Sequence, residues 1–193
     1  MLATQQALDI FARSGALLEG HFRLTSGRHS NRYMQCAQVL KFPAETEKLA
    51  GHLTELFAGE KIDLVIGPAM GGIIIAYEVA KQLGVPALFT EREEGMMQLR
   101  RGFEIKADTR VLVVEDVVTT GGSVKEVMET VYGRGAVVVG VGVLVDRSSG
   151  QVDFKVPFKS VITLEIESWE PENCPLCVAG EVPLTKPGSR LIR

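Results

Sequence analysis

The sequence is short of three things: cysteine, long apolar runs and excess positive charge. Its three cysteines are too few, and odd in number, for a disulfide framework, which favours a reducing compartment. The longest apolar runs, residues 71–77 and 136–145, are too short to cross a bilayer, and the first residues lack the pattern of a signal peptide. A net charge of -3 supplies no broad basic field for nucleic acid. We therefore expect a cytoplasmic protein that binds neither membrane nor nucleic acid.

The 193 residues, 46% hydrophobic and 23% charged, suffice for one sizeable core, and we expect residues 1–193 to form a single domain. Between residues 62 and 146, short Val-rich runs alternate with helical patterns: IDLVIG, GGIIIAYEVAKQLG, VPALFTE, VLVVED, GSVKEVMETVYGRG and AVVVGVGVLVD. Continuous apolar strands joined by single helices predict an α/β fold with a central, mostly parallel sheet flanked by helices. Ligands of such folds gather at the carboxyl ends of the strands.

Other segments carry weaker patterns. Apolar spacing predicts one helix over residues 4–14 and another from Pro43 to a left-handed cap at Gly59. The stretch HFRLTSGRHSNRYMQC between them is polar and cationic, with no clear period. Residues 91–109, EREEGMMQLRRGFEIKADT, are charged and interrupted by glycine, which predicts a long hairpin or a flexible flap. After residue 150, VITLEIE is the clearest strand pattern.

The stretch VLVVEDVVTTGGSV places two carboxylates, Glu115 and Asp116, at the end of an apolar strand. The loop that follows opens a helix and offers free N–H groups, hydroxyls and the helix dipole to a phosphate; it comprises Thr119, Thr120, Gly121, Gly122 and Ser123. The carboxylates can accept hydrogen bonds from a ribose diol or hold the water shell of Mg²⁺. No lysine follows the glycines as it does in a P-loop. The alternative is an ordinary strand end with Thr120 or Ser123 as the helix N-cap.

This stretch resembles the signature of the type I phosphoribosyltransferases, which bind 5-phosphoribosyl 1-diphosphate. The resemblance implies that Glu115 and Asp116 contact the ribose hydroxyls and hold Mg²⁺ through water, with no direct protein ligand to the metal. It also implies a 5-phosphate loop formed by Val117, Val118, Thr119, Thr120, Gly121, Gly122 and Ser123. The turn GPAMGG resembles the family's diphosphate loop, here Ala69, Met70, Gly71 and Gly72; alone, it would be a plain tight turn. The implied fold adds a small N-terminal hood, residues 1–42, and a flexible hairpin loop, residues 91–109.

FRLTSGRHSNRY resembles the N-terminal motif of the orotate phosphoribosyltransferases, which transfer the 5-phosphoribosyl group to orotate. The resemblance implies an orotate site that contains Ser26, Gly27, Arg28, Thr119 and Arg147, with the arginines facing the carboxylate. Taken singly, Arg28 would be a solvated loop residue, and Arg147 would form a strand-end salt bridge with Asp146. Thr25 stands where many members of the family have lysine, so the resemblance leaves open one contact to the diphosphate or to orotate.

The flap matches the family in part. Arg92 occupies one of its basic positions and Glu91 the other, and Arg100 and Arg101 stand in as the cations that neutralise the departing diphosphate. The alternative is a solvated charged hairpin. The resemblance further implies Mg²⁺ as cofactor and a homodimer whose flap serves the neighbouring subunit. Two other functions stay open: a purine phosphoribosyltransferase, although those enzymes lack the Ser-Gly-Arg stretch, and a regulator that senses the donor, although it would need a basic surface.

The C-terminal segment contains Cys174-x-x-Cys177, half of a zinc-ribbon spacing. Cys36 is distant in sequence, and the three histidines, His21, His29 and His52, all lie in the first third of the chain. We therefore expect two packed or half-exposed thiols, since most tetrahedral sites built on this pair would need ligands from a second chain. His21 and His29 flank the Ser-Gly-Arg motif and are expected to be surface or loop residues.

Overall fold

The structure is a computed structural model that describes residues 2–24 and 26–187, so Thr25 and its open contact lie outside the described residues. The larger of its two sheets has six strands in the order β5-β4-β3-β6-β7-β8. These strands are β3 (Leu64–Pro68), β4 (Ala87–Glu93), β5 (Met96–Leu99), β6 (Arg110–Val118), β7 (Val137–Asp146) and β8 (Phe158–Thr163). All neighbours pair in parallel except β4 and β5, which form an antiparallel hairpin at one edge. The mostly parallel sheet predicted from the Val-rich runs is confirmed.

Helices cover both faces of this sheet. Alternate residues of a strand point to opposite faces, so strands that are apolar throughout bury side chains against helices on both sides. The helices are α1 (Thr4–Arg13), α2 (Ala37–Leu40), α3 (Pro43–Leu56), α4 (Gly71–Leu83), α5 (Gly122–Tyr132) and α6 (Pro175–Ala179). In β6, Leu112 and Val114 belong to the core shared with α3 and α4, whereas Val111 and Val113 belong to the core shared with α5. Within residues 2–24 and 26–187, no helix has the length and apolar character needed to span a membrane.

Two glycines in β7 let the end of α3 approach the sheet closely. A Cβ on Gly140 would lie 2.5 Å from Phe57 Cε1, and a Cβ on Gly142 would lie 3.1 Å from Phe57 Cε2. Phe57 is fully buried at this contact. The Gly-x-Gly spacing in β7 therefore serves helix packing, and these two glycines lie in the middle of the strand, away from any loop.

A second, smaller sheet joins the two ends of the described chain. Its order is β10-β1-β2-β9, with β1 (Leu17–Arg23), β2 (His29–Met34), β9 (Ser168–Trp169) and β10 (Leu184–Thr185). The antiparallel hairpin β1–β2 occupies the polar stretch in which the sequence showed no period. His21 pairs with Leu184 and His29 pairs with Trp169, so residues from the C-terminal segment form both edges of this sheet.

The structure corrects the prediction for the cysteine pair and its neighbours. His21 and His29, expected to be surface or loop residues, lie in β1 and β2 and are 3% and 5% exposed. They face Cys174 and Cys177 of the same chain, and the ligand atoms of the four residues all lie within 4.8 Å of one another. No second chain is needed to bring four such side chains together, contrary to what we expected of most sites built on this cysteine pair, because the small sheet brings distant parts of this chain together.

Several element boundaries also differ from those predicted. Helix α3 ends at Leu56, and the left-handed cap predicted at Gly59 is wrong, whereas Gly84 does end α4 in a left-handed conformation with φ of 68°. The strand predicted in VITLEIE stops at Thr163. In the predicted flap, residues 91–99 continue β4 and form β5, and residues 100–109 contain neither helix nor strand.

Candidate active site

The loop between β6 and α5 forms a concave pocket at the carboxyl end of the larger sheet. Glu115 and residues 117–124 line this pocket. Gly121, not Thr120 or Ser123, is the N-cap of α5; its φ is 74°, and a Cβ there would lie 2.9 Å from Val152 Cγ1. No side chain caps the first turn of α5. Its N–H groups, together with the exposed Thr119 and Thr120, are therefore available to an anion such as phosphate.

Glu115 and Asp116 lie at the end of β6, beside this loop. Glu115 is 8% exposed, and its Oε1 accepts a hydrogen bond from the Asp116 N–H at 3.1 Å. Asp116 Oδ1 accepts one from the Val117 N–H at 2.8 Å. Burial raises the pKa of Glu115 to about 9, and the adjacent Asp116 carboxylate adds to this rise; burial also raises the pKa of Asp116. Two desolvated carboxyl groups at one strand end gain most from a ligand that brings hydroxyl donors or positive charge.

The loop from Ala69 to Gly72 joins β3 to α4 and lies against the acidic pair. A Cβ on Gly71 would lie 2.7 Å from Asp116 Oδ1. The Ala69 N–H donates to Thr90 O at 2.7 Å, the peptide bond between Ala69 and Met70 is cis, and the Met70 side chain is exposed. The structure thus brings together the two glycine loops and the two carboxylates, which the sequence places in different strand–helix units.

A second cavity, of about 590 Å³, adjoins the acidic pair. Tyr33, Met34 and Cys36 line it together with Met70 and Asp116. Its volume lies in the range of small-molecule sites. The sequence alone did not predict that Tyr33, Met34 and Cys36 would line a ligand cavity. The available signal was the aromatic residue that follows the Ser-Gly-Arg motif, and its position in a strand of the small sheet was not visible in the sequence.

Arg147 directly follows β7 and carries a half-buried guanidinium group. Its side-chain Nε is buried and has no hydrogen-bond partner among the described residues. Burial lowers the pKa of Arg147, and the side chains of Tyr33 and Cys36, which line the second cavity, act in the opposite direction. Asp146 Oδ1 accepts a hydrogen bond from the Ser148 N–H at 2.8 Å, and no ion pair with Arg147 forms in the described part of the chain. An unpaired guanidinium N–H suits a ligand carboxylate.

The structure does not bring the Ser-Gly-Arg motif to either cavity. Ser26, Gly27 and Arg28 lie in the turn between β1 and β2 and are absent from the lining of both cavities. Arg28 Nε donates to Ser168 Oγ at 2.9 Å, and the two terminal nitrogens of the same guanidinium group, Nη2 and Nη1, donate to Ser168 O and to the Glu170 carboxylate. Arg28 therefore binds the edge strand β9 and holds the small sheet together in this conformation.

The three flap arginines also pair within the protein. Arg92 bonds to Gly95 O and, at 2.9 Å, to the Glu126 carboxylate of α5. The guanidinium of Arg101 binds Glu91 at 2.7 and 2.8 Å, which lowers the pKa of that carboxyl, and Arg100 pairs with Glu93 at 3.1 Å. None of the three lines either cavity in this conformation.

Comparison with known proteins agrees with this geometry. Residues 35–178 match the family model described as "Phosphoribosyl transferase domain". The chain is 59% identical over 191 residues to the orotate phosphoribosyltransferase of Heliobacterium modesticaldum, covering 98% of this chain and 100% of that protein. It is 58% identical over 186 residues to the orotate phosphoribosyltransferase of a Thermoanaerobacter species, covering 96% and 97% of the two chains. The chain belongs to the orotate phosphoribosyltransferase family.

A solved structure supports the fold of this member of the orotate phosphoribosyltransferase family. The crystal structure of orotate phosphoribosyltransferase from Aeropyrum pernix superimposes with a TM-score of 0.72 and 31% sequence identity, over 81% of this chain and 92% of that chain. The type I phosphoribosyltransferase fold implied by the acidic motif is therefore confirmed.

Proposed function

We propose that this chain transfers the 5-phosphoribosyl group of 5-phosphoribosyl 1-diphosphate to N1 of orotate, which yields orotidine 5'-monophosphate and diphosphate. The observation that carries the proposal is the continuity of the site. The phosphate loop, the acidic pair and the second cavity meet at the carboxyl end of one sheet, and both cavities share Val117. Two adjoining cavities of this kind suit a reaction that joins a sugar phosphate to a planar ring.

Each part of the donor, 5-phosphoribosyl 1-diphosphate, has a matching group in these two cavities. The N–H groups and hydroxyls of residues 119–123 suit the 5-phosphate, and the loop of residues 69–72 suits the diphosphate beside Asp116. Glu115 and Asp116 accept hydrogen bonds from the ribose hydroxyls. Burial raises the pKa values of the two acids because it destabilises their ionised forms. A Mg²⁺ ion held through water would stabilise these ionised carboxylates, so the two acids suit such an ion. When bound, Mg²⁺ supplies positive charge to the diphosphate.

The chemistry asks the protein mainly for positioning and charge stabilisation. The bond between the anomeric carbon and the diphosphate oxygen breaks with its electron pair leaving on diphosphate, and the anionic N1 of orotate forms the new bond. Positive charge develops on the sugar in between, next to Glu115 and Asp116. In this arrangement Arg147 binds the orotate carboxylate, and Thr119 faces the pyrimidine ring. The assignment of Ser26, Gly27 and Arg28 to the orotate site stays a prediction, and in this conformation Arg28 bonds to Ser168 and Glu170.

We also propose a cytoplasmic homodimer in which a flap arginine reaches the neighbouring subunit's site. The ion pairs of Arg92, Arg100 and Arg101 are made with partly exposed carboxylates, and such pairs cost little to break. Mixing an inactive flap variant, Arg100→Ala with Arg101→Ala, with an inactive loop variant, Thr120→Ala with Ser123→Ala, should restore part of the activity. A lack of recovery, once subunit exchange is verified by mass, would contradict flap sharing.

The reaction itself is tested by following the loss of orotate absorbance with 5-phosphoribosyl 1-diphosphate and Mg²⁺, with uracil, adenine and hypoxanthine in parallel. Orotate loss that stops on adding EDTA is the expected result. Consumption of a purine in place of orotate would favour a purine phosphoribosyltransferase. Donor binding without any reaction would favour the sensing regulator, which the identity to orotate phosphoribosyltransferases does not favour.

A further inference from the structure

Four side chains with metal-binding atoms meet in the small sheet: His21 on β1, His29 on β2, and Cys174 and Cys177 around the start of α6. His21 Nε2 lies 3.2 Å from His29 Nδ1, 3.4 Å from Cys174 Sγ and 3.7 Å from Cys177 Sγ. His29 Nδ1 lies 3.2 Å from Cys177 Sγ. None of the four residues lines either cavity of the candidate active site, so the cluster is a separate feature of the molecule.

These spacings match those of a tetrahedral metal centre. Zinc lies about 2.0–2.1 Å from histidine nitrogen and about 2.3 Å from cysteine sulfur, so tetrahedral angles separate two nitrogens by about 3.3 Å, nitrogen and sulfur by about 3.5 Å, and two sulfurs by about 3.8 Å. Four of the six separations between the ligand atoms run from 3.2 to 3.7 Å, and all six lie within 4.8 Å. Two thiolates and two imidazoles are also a ligand set that zinc commonly has in structural sites.

Hydrogen bonds alone account poorly for this convergence. His21 Nδ1 lies 3.1 Å from Val182 O, which can only accept, so Nδ1 carries the ring proton and Nε2 presents its lone pair. Three side chains, His29, Cys174 and Cys177, approach that single lone pair. A cation at the centre would instead accept a lone pair from each of the four ligand atoms. The bond from Nδ1 to a backbone carbonyl is the contact that commonly orients a metal-bound histidine.

We propose that His21, His29, Cys174 and Cys177 bind one structural Zn²⁺ that fastens the C-terminal segment to the N-terminal hairpin. Two thiol protons leave to solvent on binding, and the two thiolates balance the charge of the ion, which suits a site whose histidines and Cys174 are buried. Cys177 is exposed and provides an entry route. Four protein ligands leave no open coordination position, so the ion has a structural and not a catalytic role.

The first test uses metal content, which does not depend on the proposed activity. The full chain is purified under reducing conditions, separated from loosely bound metal by gel filtration in EDTA, and analysed for zinc by mass spectrometry. We expect about one zinc per chain. Cys174→Ser and His21→Ala should lose it, whereas the matched controls Cys36→Ser and His52→Asn, which lie outside the cluster, should keep it.

A second measurement uses the wild-type chain and so does not depend on whether a variant folds. Metal-free protein is titrated with Co²⁺, and we expect the visible bands of tetrahedral cobalt and a thiolate-to-cobalt band, both saturating at one ion per chain and both displaced by Zn²⁺. Zinc should also raise the Tm of the metal-free protein. A wild-type chain with reduced thiols that shows neither bound zinc nor these bands would overturn the proposal. So would a Cys174–Cys177 disulfide in freshly purified protein, or full zinc content in the ligand variants.

Discussion

Replacing Glu115 with glutamine should stabilise the ligand-free protein at alkaline pH although it removes turnover. Folding transfers Glu115 out of water, and burial raises its pKa from 4.5 to about 9. Between these values the folded protein holds a proton that the unfolded chain has lost. The free energy of unfolding therefore falls as the pH rises through this window, and it is unaffected by this group below pH 4.5. Glutamine has a similar shape and no proton to lose, so the variant should escape this loss.

The size of the effect follows from the same linkage. One pKa unit corresponds to about 1.36 kcal/mol, so a full proton of difference lowers the free energy of unfolding by about 2.7 kcal/mol between pH 6 and pH 8. In a chain of this length about 1 kcal/mol shifts Tm by about 2–4 °C. The Tm gap between Glu115→Gln and the wild type should therefore widen by up to about 11 °C over this interval. The widening is smaller if Glu115 and Asp116 share the proton, because the variant then removes only part of the pH dependence.

The assay is thermal unfolding of the ligand-free wild type, Glu115→Gln and Glu129→Gln, followed by circular dichroism at pH 6, 7 and 8. Glu129 is an exposed carboxyl group on α5 and serves as the matched control. Its variant should follow the wild type at every pH. A Tm difference between Glu115→Gln and the wild type that is the same at all three pH values would refute the buried proton. Turnover of Glu115→Gln, measured by orotate loss, should be low throughout.

Three other substitutions test separate parts of the structure. Arg147→Met should raise the KM for orotate by about 10-fold or more, as loss of a charged hydrogen bond predicts. Its Tm should change little, because the buried Nε of Arg147 has no partner in the described chain. An unchanged KM would remove Arg147 from the base site. Gly71→Ala should lower kcat/KM for the donor, since its Cβ would lie 2.7 Å from Asp116 Oδ1; wild-type donor kinetics would contradict this close packing. Gly140→Ala should cost about 1–3 kcal/mol in urea unfolding, because its Cβ would lie 2.5 Å from Phe57 Cε1; wild-type stability would show that α3 can move aside.

The larger sheet and the phosphate loop could be predicted because their signals are local. In β6, both faces are buried, so the strand appears as a continuous apolar run. Glu115 and Asp116 lie near the carboxyl end of β6, and Gly121 follows in the next loop. Gly71 lies against Asp116 because it begins the helix after β3, the parallel strand that pairs with β6. Strand and helix alternation is enough to place these residues at one edge.

The small sheet could not be predicted because its contacts join distant residues. Polar side chains conceal the strand period of β1 and β2, and the edge strands β9 and β10 have two residues each. The sequence favours Arg28 as an orotate ligand, but its donors bind Ser168 and Glu170. His21 and Cys174 are likewise far apart in sequence and meet only because the sheet closes. Spacing alone cannot reveal such a pairing.

The pairing of His21 with Leu184 also determines when during synthesis the small sheet can be completed. Strand β3 pairs with β4 across one helix, β6 pairs with β7 across another, and β6 pairs with β3 of the preceding unit, so the larger sheet can assemble while the ribosome is still translating. The β1–β2 hairpin is made earlier than any of them, yet it must wait with both edges unpaired until residues 168–185 leave the exit tunnel. Closing so long a loop is slow. The first segment to emerge is therefore among the last to reach its final partners, and until then its strand edges are open to chaperones or to other nascent chains.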